Sequence, residues 1–213
     1  MPLDNSNEPV TKILITPPKF ERAVIKVIGT SCYVQNKFSA KARHKIEATQ
    51  REGSRSRKGS QKEARDFEED WKNAMHVSVD GWAGIPAPAF RNAMIDACRM
   101  AGFQMTRAKM SIFVEADGVD VDSNEPLLKL EGKLAEPAIL PVRNESGVID
   151  LRCRPTWIEW STNVRLRWDA DQFSVNDVMN LLSRAGVQVG IGEGRPFSKN
   201  SNGMGWGTWE IAQ

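Results

Sequence analysis

This 213-residue chain is poor in net charge, in long apolar runs and in the residue types that most often do catalysis. Lys and Arg number 29 against 27 Asp and Glu, a formal net charge of +2, and that average argues against a strongly basic nucleic-acid binder. No stretch approaches the roughly 18 consecutive apolar residues of a membrane-spanning helix, so no membrane role is expected. There are two histidines, His44 and His76, and one tyrosine, Tyr33. The three cysteines, Cys32, Cys98 and Cys153, are odd in number and far apart, with no CxxC pair. A disulfide framework and a Cys/His zinc site are therefore not expected, and the thiols read as buried residues of an intracellular protein. The first twenty residues carry acids and no long apolar segment, which does not read as a secretory signal and implies a cytoplasmic location.

Tryptophan is abundant instead. Five of the seven, Trp157, Trp160, Trp168, Trp206 and Trp209, fall in the last third of the chain. They are either core anchors or a stacking platform for bases. The charge is also unevenly spread. Residues 37–65 hold ten Lys/Arg against three Asp/Glu, so this segment carries a surplus of seven and the rest of the chain a deficit of five. Its centre, GSRSRKGS, is rich in Gly and Ser and reads as mobile. The segment is either a solvated loop or a basic arm that neutralises phosphates. The acidic DFEED follows at 66–70, in a helix expected over about 62–74.

Periodicity supplies the regular elements. Residues 1–19 read as an arm or edge strand, and AVIKVI at 23–28 as a strand buried on at least one face. WAGIPAPAFRNAMIDACRMAG at 82–102 places Phe90, Ala93, Met94, Ala97, Cys98 and Ala101 on one helical face, with prolines in the first turn and Gly102 as the C-terminal cap. A strand is expected at 109–116, followed by loop over 117–146, which lacks the spacing of a calcium loop. VIDLRCR at 148–154 and the strand at about 158–168 each carry an Arg pair, Arg152 with Arg154 and Arg165 with Arg167. If those strands are neighbours, four guanidinium groups line one sheet face; the alternative is ordinary solvated alternation. Guanidinium suits phosphate contact and base stacking. Ser174 and Asp177 form a capping pattern for a helix at 174–185, whose buried stripe is Val175, Val178, Met179, Leu182 and Ala185 and which Gly186 ends. Between it and a last strand at 207–211 lie Gly190, Gly192, Gly194, Gly203, Gly205 and Gly207, with Arg195 and Lys199. This is neither a P-loop nor a dinucleotide fingerprint. It is a tight Gly-rich hairpin or a backbone cradle for phosphate.

The order is β-α-β-β-α-β, which predicts an α+β fold with a ferredoxin-like or RRM core: an antiparallel four-stranded sheet with two helices on one face. Two long insertions, 31–81 and 117–156, interrupt this single domain. Two motifs then carry a family resemblance. Ile85-Pro86-Ala87-Pro88-Ala89-Phe90-Arg91 resembles the I-P-G-S-S-L-K approach to the first helix of the RAMP superfamily. Gly190-Ile191-Gly192-Glu193-Gly194-Arg195, followed by Gly203-Met204-Gly205-Trp206-Gly207, resembles that superfamily's Gly-rich loop before the last strand. Within the superfamily the chain is similar to the Cas7-like backbone proteins of CRISPR effector complexes, which carry an extended insertion where residues 37–65 lie. It also resembles phage-encoded proteins with the same Gly-rich ending.

The resemblance implies binding of single-stranded RNA or DNA, largely through its phosphates, by stacked protomers or by a subunit of a ribonucleoprotein. Lys41, Arg43, Lys45, Arg55, Arg57 and Lys58 are the expected phosphate partners. Arg91, Arg152, Arg154, Arg165, Arg167, Gly192, Gly194, Arg195 and Lys199 are expected to fix the strand on the body. No cofactor is implied. Two rival readings stand beside this one. An endoribonuclease would rely on His44 or His76, or on Lys or Tyr33, as its base. A structural or partner-binding protein would use the Trp-rich end as an interface.

Overall fold

The computed structural model describes residues 15–38, 40–52, 65–143, 148–198, 201 and 203–212. In chain order these form β1 (Phe20–Gly29), β2 (Tyr33–Val34), α1 (Ala40–Glu52), α2 (Phe67–Asn73), β3 (Gly84–Pro86), α3 (Ala87–Ala97), α4 (Met105–Ser111), β4 (Ile112–Glu115), β5 (Gly118–Val119), β6 (Pro126–Lys129), β7 (Glu131–Leu134), β8 (Ile139–Arg143), β9 (Ile149–Cys153), β10 (Thr156–Asp169), α5 (Val175–Arg184) and β11 (Trp209–Ile211). The fold is α+β with antiparallel sheets.

The main sheet is built on β10, the longest strand. β1 pairs antiparallel along one side of it, from Phe20 opposite Asp169 to Ile28 opposite Ser161. β4 pairs along its other side, Arg165 opposite Glu115 and Arg167 opposite Phe113. β11 adds to the outer side of β1, and β2 and β7 pair with the first half of β10. A small sheet, β3-β6-β5, and a hairpin, β8-β9, complete the strands.

Alternation decides which face is buried. Ile25 and Val27 of β1 and Val164, Leu166 and Trp168 of β10 point into the core, where Phe90 and Met94 of α3 and Val178, Leu181 and Leu182 of α5 meet them. Each such side chain contributes about 1.5–3 kcal/mol by leaving water. Four of the five C-terminal tryptophans belong to this packing: Trp157, Trp160, Trp168 and Trp209 are at most 3% exposed. Trp209 stacks edge-on against Phe90 at 5.0 Å. Trp160 lies against Gly29, where a Cβ would come within 2.1 Å of its ring nitrogen, and donates from that nitrogen to the Ser31 carbonyl at 2.8 Å. These four tryptophans are core anchors, and Trp206 is half-buried.

Several expected boundaries move. The strand expected at 109–116 starts only at Ile112, because Met105–Ser111 is helical and buries Ala108 and Ser111. Arg91 secures this helix end by donating from Nε to the Ile112 carbonyl at 2.8 Å and from Nη2 to the Lys109 carbonyl. The helix expected at 62–74 is α2, with Asp66 accepting from the Glu68 and Glu69 N–H groups at its start. The capping pair of α5 forms as expected, with Ser174 and Asp177 bonded reciprocally. Gly186 does not end that helix: a π-helical turn, Ala185–Val189, continues it to Gly190. Val175 is 48% exposed and Leu181 replaces it in the buried stripe. Residues 117–146 are not plain loop, since β5, β6, β7 and β8 lie there. Residues 37–65 are not one loop either, since α1 occupies 40–52. The GSRSRKGS centre, and residues 1–14 of the N-terminal arm, lie outside the described residues.

Candidate nucleic-acid interface

With α3 and α5 both on one side of the main sheet, the other face carries exposed side chains around β1, β10 and β4 among the described residues. Along β1 it presents Phe20 (41% exposed), Arg22, Val24 (58%), Lys26 and Ile28 (41%). Along β10 it presents Asn163, Arg165 and Arg167, and β4 adds Phe113 and Glu115. The cations of this face already have carboxylates. Glu115 holds Arg22 at 3.1 Å and Arg167 at 3.6 Å, Arg165 is bonded to Asp117, and Lys26 lies 3.6 Å from Glu131. On this face four cations thus share three carboxylates. Its distinctive feature is stacking: the Arg167 guanidinium sits 4.9 Å from both the Phe20 and Phe113 rings, and those rings meet edge-on at 5.9 Å. Arg91 approaches Phe113 at 5.6 Å.

The second Arg pair is elsewhere. β9 pairs with β8, and β10 with β1, β2, β4 and β7, so the four guanidinium groups do not share a sheet face. Arg152 and Arg154 instead clamp Glu193 of the Gly-rich loop, at 2.6 and 3.4 Å, with the Glu193 side chain only 9% exposed. Asp150 takes the Nε of Arg152 at 3.2 Å and Arg65 at 2.9 Å. The hairpin and the loop are thereby joined by charge.

The Gly-rich loop folds on itself. Ile191 N–H donates to the Gly207 carbonyl, Glu193 N–H to Val34, Trp206 N–H to Gly194 and Gly207 N–H to Cys32. Gly192 and Gly194 have φ of +78° and +73°, and a Cβ on them would meet the Val34 carbonyl at 2.5 Å and the Trp206 ring at 2.5 Å. These glycines serve close packing at left-handed positions. Arg195 is also committed, donating from Nη1 to the Gly192 carbonyl at 3.1 Å and from Nε to Phe197 at 3.2 Å. Lys199 lies outside the described residues.

The arm differs. α1 runs thirteen residues, yet among its described side chains none is buried, and Arg43, His44, Ile46 and Arg51 are exposed. An amphipathic helix would bury a stripe; among the described side chains of this one there is none. Arg51 pairs with Glu47 of its own helix, at 2.6 Å and 79% exposed, and Arg43 reaches the Asp122 carbonyl at 3.3 Å. Lys41 and Lys45 belong to the same helix, their side chains outside the described part, and Arg55, Arg57 and Lys58 lie outside the described residues.

At the root of the arm is a buried polar cluster that the sequence pattern did not single out. Lys37, counted in the basic segment, is 7% exposed and donates to Asp120 and Asp122, each at 2.7 Å. Asp120 is fully buried and also accepts from the N–H groups of Asp122 and Ser123. Burial pushes its carboxyl up, but these bonds, led by Lys37, outweigh that and hold it at about 2. His76 Nδ1 lies 3.4 Å from Asp120 and 3.8 Å from Glu125, and burial pulls the imidazole pKa down despite Asp120. Gln35 donates to the Gly84 carbonyl at 2.6 Å and accepts from His76 N–H at 3.0 Å. Of the bases named for the nuclease reading, His76 and Tyr33 are buried, 7% and 2% exposed, and burial pushes the Tyr33 phenol up. His44 is exposed on α1, 3.8 Å from Glu47.

Phe20 and Phe113 are the face residues missed in the sequence. The signal was present at Phe113, which shares its side of the strand with Glu115 and opposes Ile112 and Val114. Compared with known proteins, the chain matches no protein-family model and no curated protein.

Proposed function

We propose that this chain binds single-stranded nucleic acid mainly through its phosphates, using the basic arm. The observation that carries this reading is α1 itself, a helix with no buried side chain among those described, in the segment that holds the chain's basic surplus. With Lys37 taken up at one end and Arg65 bound to Asp70 and Asp150 at the other, residues 38–64 still hold eight Lys/Arg against three acids. A basic segment of this kind gains most from releasing the counterions of a phosphate chain. Lys41, Arg43, Lys45, Arg55, Arg57 and Lys58 are the phosphate partners in this reading, and protomers stack along the strand.

The same reading extends to the fold. We take the core to be of the ferredoxin-like, RRM kind, interrupted at 31–81 and 117–156, as in Cas7-like proteins. What supports it is the order β11-β1-β10-β4 with every neighbour antiparallel, and α3 and α5 together on one face.

Fluorescence anisotropy with labelled U20 and dT20 tests the function. Neutralising about five phosphates gives log K against log salt a slope of about −3.5 for a single strand. A flat salt response, or no binding of either oligonucleotide at low salt, contradicts the reading. The stronger of the two ligands assigns RNA or DNA.

A further inference from the structure

The segment that carries α1 and α2 leaves the body and returns to it at one point. Lys37 N–H donates to the Ala74 carbonyl at 3.0 Å and closes the base of residues 38–73. Two residues on, His76 N–H donates to the Gln35 side chain at 3.0 Å, and the His76 carbonyl accepts from Gly84 N–H at 3.0 Å. The same short stretch holds the buried charges. Lys37 binds Asp120 and Asp122 of the turn after β5, and His76 lies beside Asp120 and beside Glu125, which precedes β6. α1 reaches this turn through Arg43, which donates to the Asp122 carbonyl. The cluster is not fully paired. Nδ1 of His76 and Oδ2 of Asp120 are buried without a hydrogen-bond partner and face each other across 3.4 Å. Asp120 favours an imidazolium at that place, but its other oxygen already holds the Lys37 ammonium at 2.7 Å. Burial weighs most, Lys37 adds to it, and together they keep the His76 pKa below its ordinary value despite Asp120. Tyr33, the remaining titratable group beside Gln35, is buried and stays neutral.

We infer that this cluster is a proton-operated latch on the root of the arm: neutral His76 keeps the root closed, and a proton on His76 favours a locally open root in which the imidazolium meets water and Lys37 is released from Asp120. A cation that is disfavoured inside and hydrated outside promotes whatever opening lets water reach it. Here that opening has to part His76 from Gln35, and with it the bond from Lys37 to Ala74 two residues away. The imidazole binds its proton more readily in the open root than in the closed one, so opening rises as pH falls below about 6.5. Glu125 acts in the opposite sense. Burial and Asp120 raise its pKa, so it takes a proton more readily in the closed root and steadies it at lower pH. The latch is a property of the free protein and goes beyond the phosphate reading, on which it does not depend.

Amide hydrogen exchange, read residue by residue by NMR on the free full-length protein, tests this. Rates are corrected for the intrinsic pH dependence of exchange and expressed as protection factors. The Lys37 and His76 amides report the root, and the Leu166 amide reports the whole fold, from the middle of β10 with strands on both sides. The root amides are expected to be less protected than Leu166 throughout, because the root opens while the sheet stays formed. Between about pH 7.5 and about pH 5.5 the Lys37 protection factor of the wild type is expected to fall several-fold, with a ceiling of about tenfold set by an ordinary imidazole pKa of about 6.5. His76→Gln, which keeps a polar side chain and takes no proton, is expected to hold its Lys37 protection factor constant over the same range. Circular dichroism checks that the variant is folded, and the wild type decides alone if it is not. Three results overturn the latch: a wild-type Lys37 protection factor that does not change with pH, root amides as protected as Leu166, or the same fall in His76→Gln as in the wild type. Failure of U20 and dT20 to bind overturns the phosphate reading and leaves the latch standing on the exchange data.

Discussion

The body and the arm carry similar side chains and use them in opposite ways. On the body, Arg22, Arg165 and Arg167 face Glu115 and Asp117, Arg152 and Arg154 share Glu193, and Arg195 is spent on two backbone carbonyls. In the arm, Arg43 and Arg51 stand exposed on a helix that buries none of its described side chains. Lys37 marks the border: it belongs to the arm by sequence and to the body by structure. A count of charges along the chain does not distinguish a cation that holds the fold from one available to a ligand. The carboxylate or carbonyl that the fold places beside it does.

This contrast is open to test through stability, where body cations matter and arm cations do not. The largest effect is expected at the border. Lys37→Met leaves the fully buried Asp120 without its cation, and breaking a buried pair from one side costs about 3–5 kcal/mol. Urea unfolding measures it, and a loss under about 1 kcal/mol would place Lys37 with the arm after all. Glu193→Gln is next. It takes the carboxylate from two guanidinium groups that are about one-fifth exposed, at an expected cost of about 1.5–3 kcal/mol. A neutral result in the same assay would mean that the hairpin and Gly-rich loop do not depend on the clamp.

The pH dependence follows with a smaller effect. His76 titrates lower in the fold than unfolded, so the unfolded state binds more protons below about pH 6.5 and stability falls as pH drops through that range. Asp120 is depressed to about 2, so its contribution is complete above about pH 4 and is lost as pH falls from there toward 2. His76→Gln is expected to flatten the stability profile just below about pH 6.5 while leaving the steeper loss below about pH 4. An unchanged profile in the upper range would remove His76 as its cause. Smallest of all, the six-residue arm variant is expected to unfold within about 0.5 kcal/mol of wild type.

Much of the framework was legible because periodicity reports burial. The alternation in β1 and β10 and the helical stripes in α3 and α5 placed most of the core, and the Ser174–Asp177 cap marked its helix correctly. Strands of two to five residues, such as β5, β6 and β7, are too short to show a period, which is why 117–146 read as loop. KMSIFVEA alternates well enough to pass for one strand, yet tertiary packing of Ala108 and Ser111 keeps its first residues helical. The Arg pairs were visible as residues on a face but not as ion pairs. Asp117 lies 48 positions from Arg165, and only the fold brings them together. Local spacing likewise gave no hint that Lys37, His76 and Asp120 converge.

The most direct measurement is the salt dependence of oligonucleotide binding in two variants compared side by side. One has Lys41, Arg43, Lys45, Arg55, Arg57 and Lys58 changed to Gln; the other has Arg22 and Arg165 of the sheet changed to Gln. If the arm takes the phosphates, the first variant loses most of the slope of about −3.5 and the second keeps it to within about 1. If the sheet variant loses the slope and the arm variant keeps it, the division between a self-neutralised body and a ligand-binding arm is wrong.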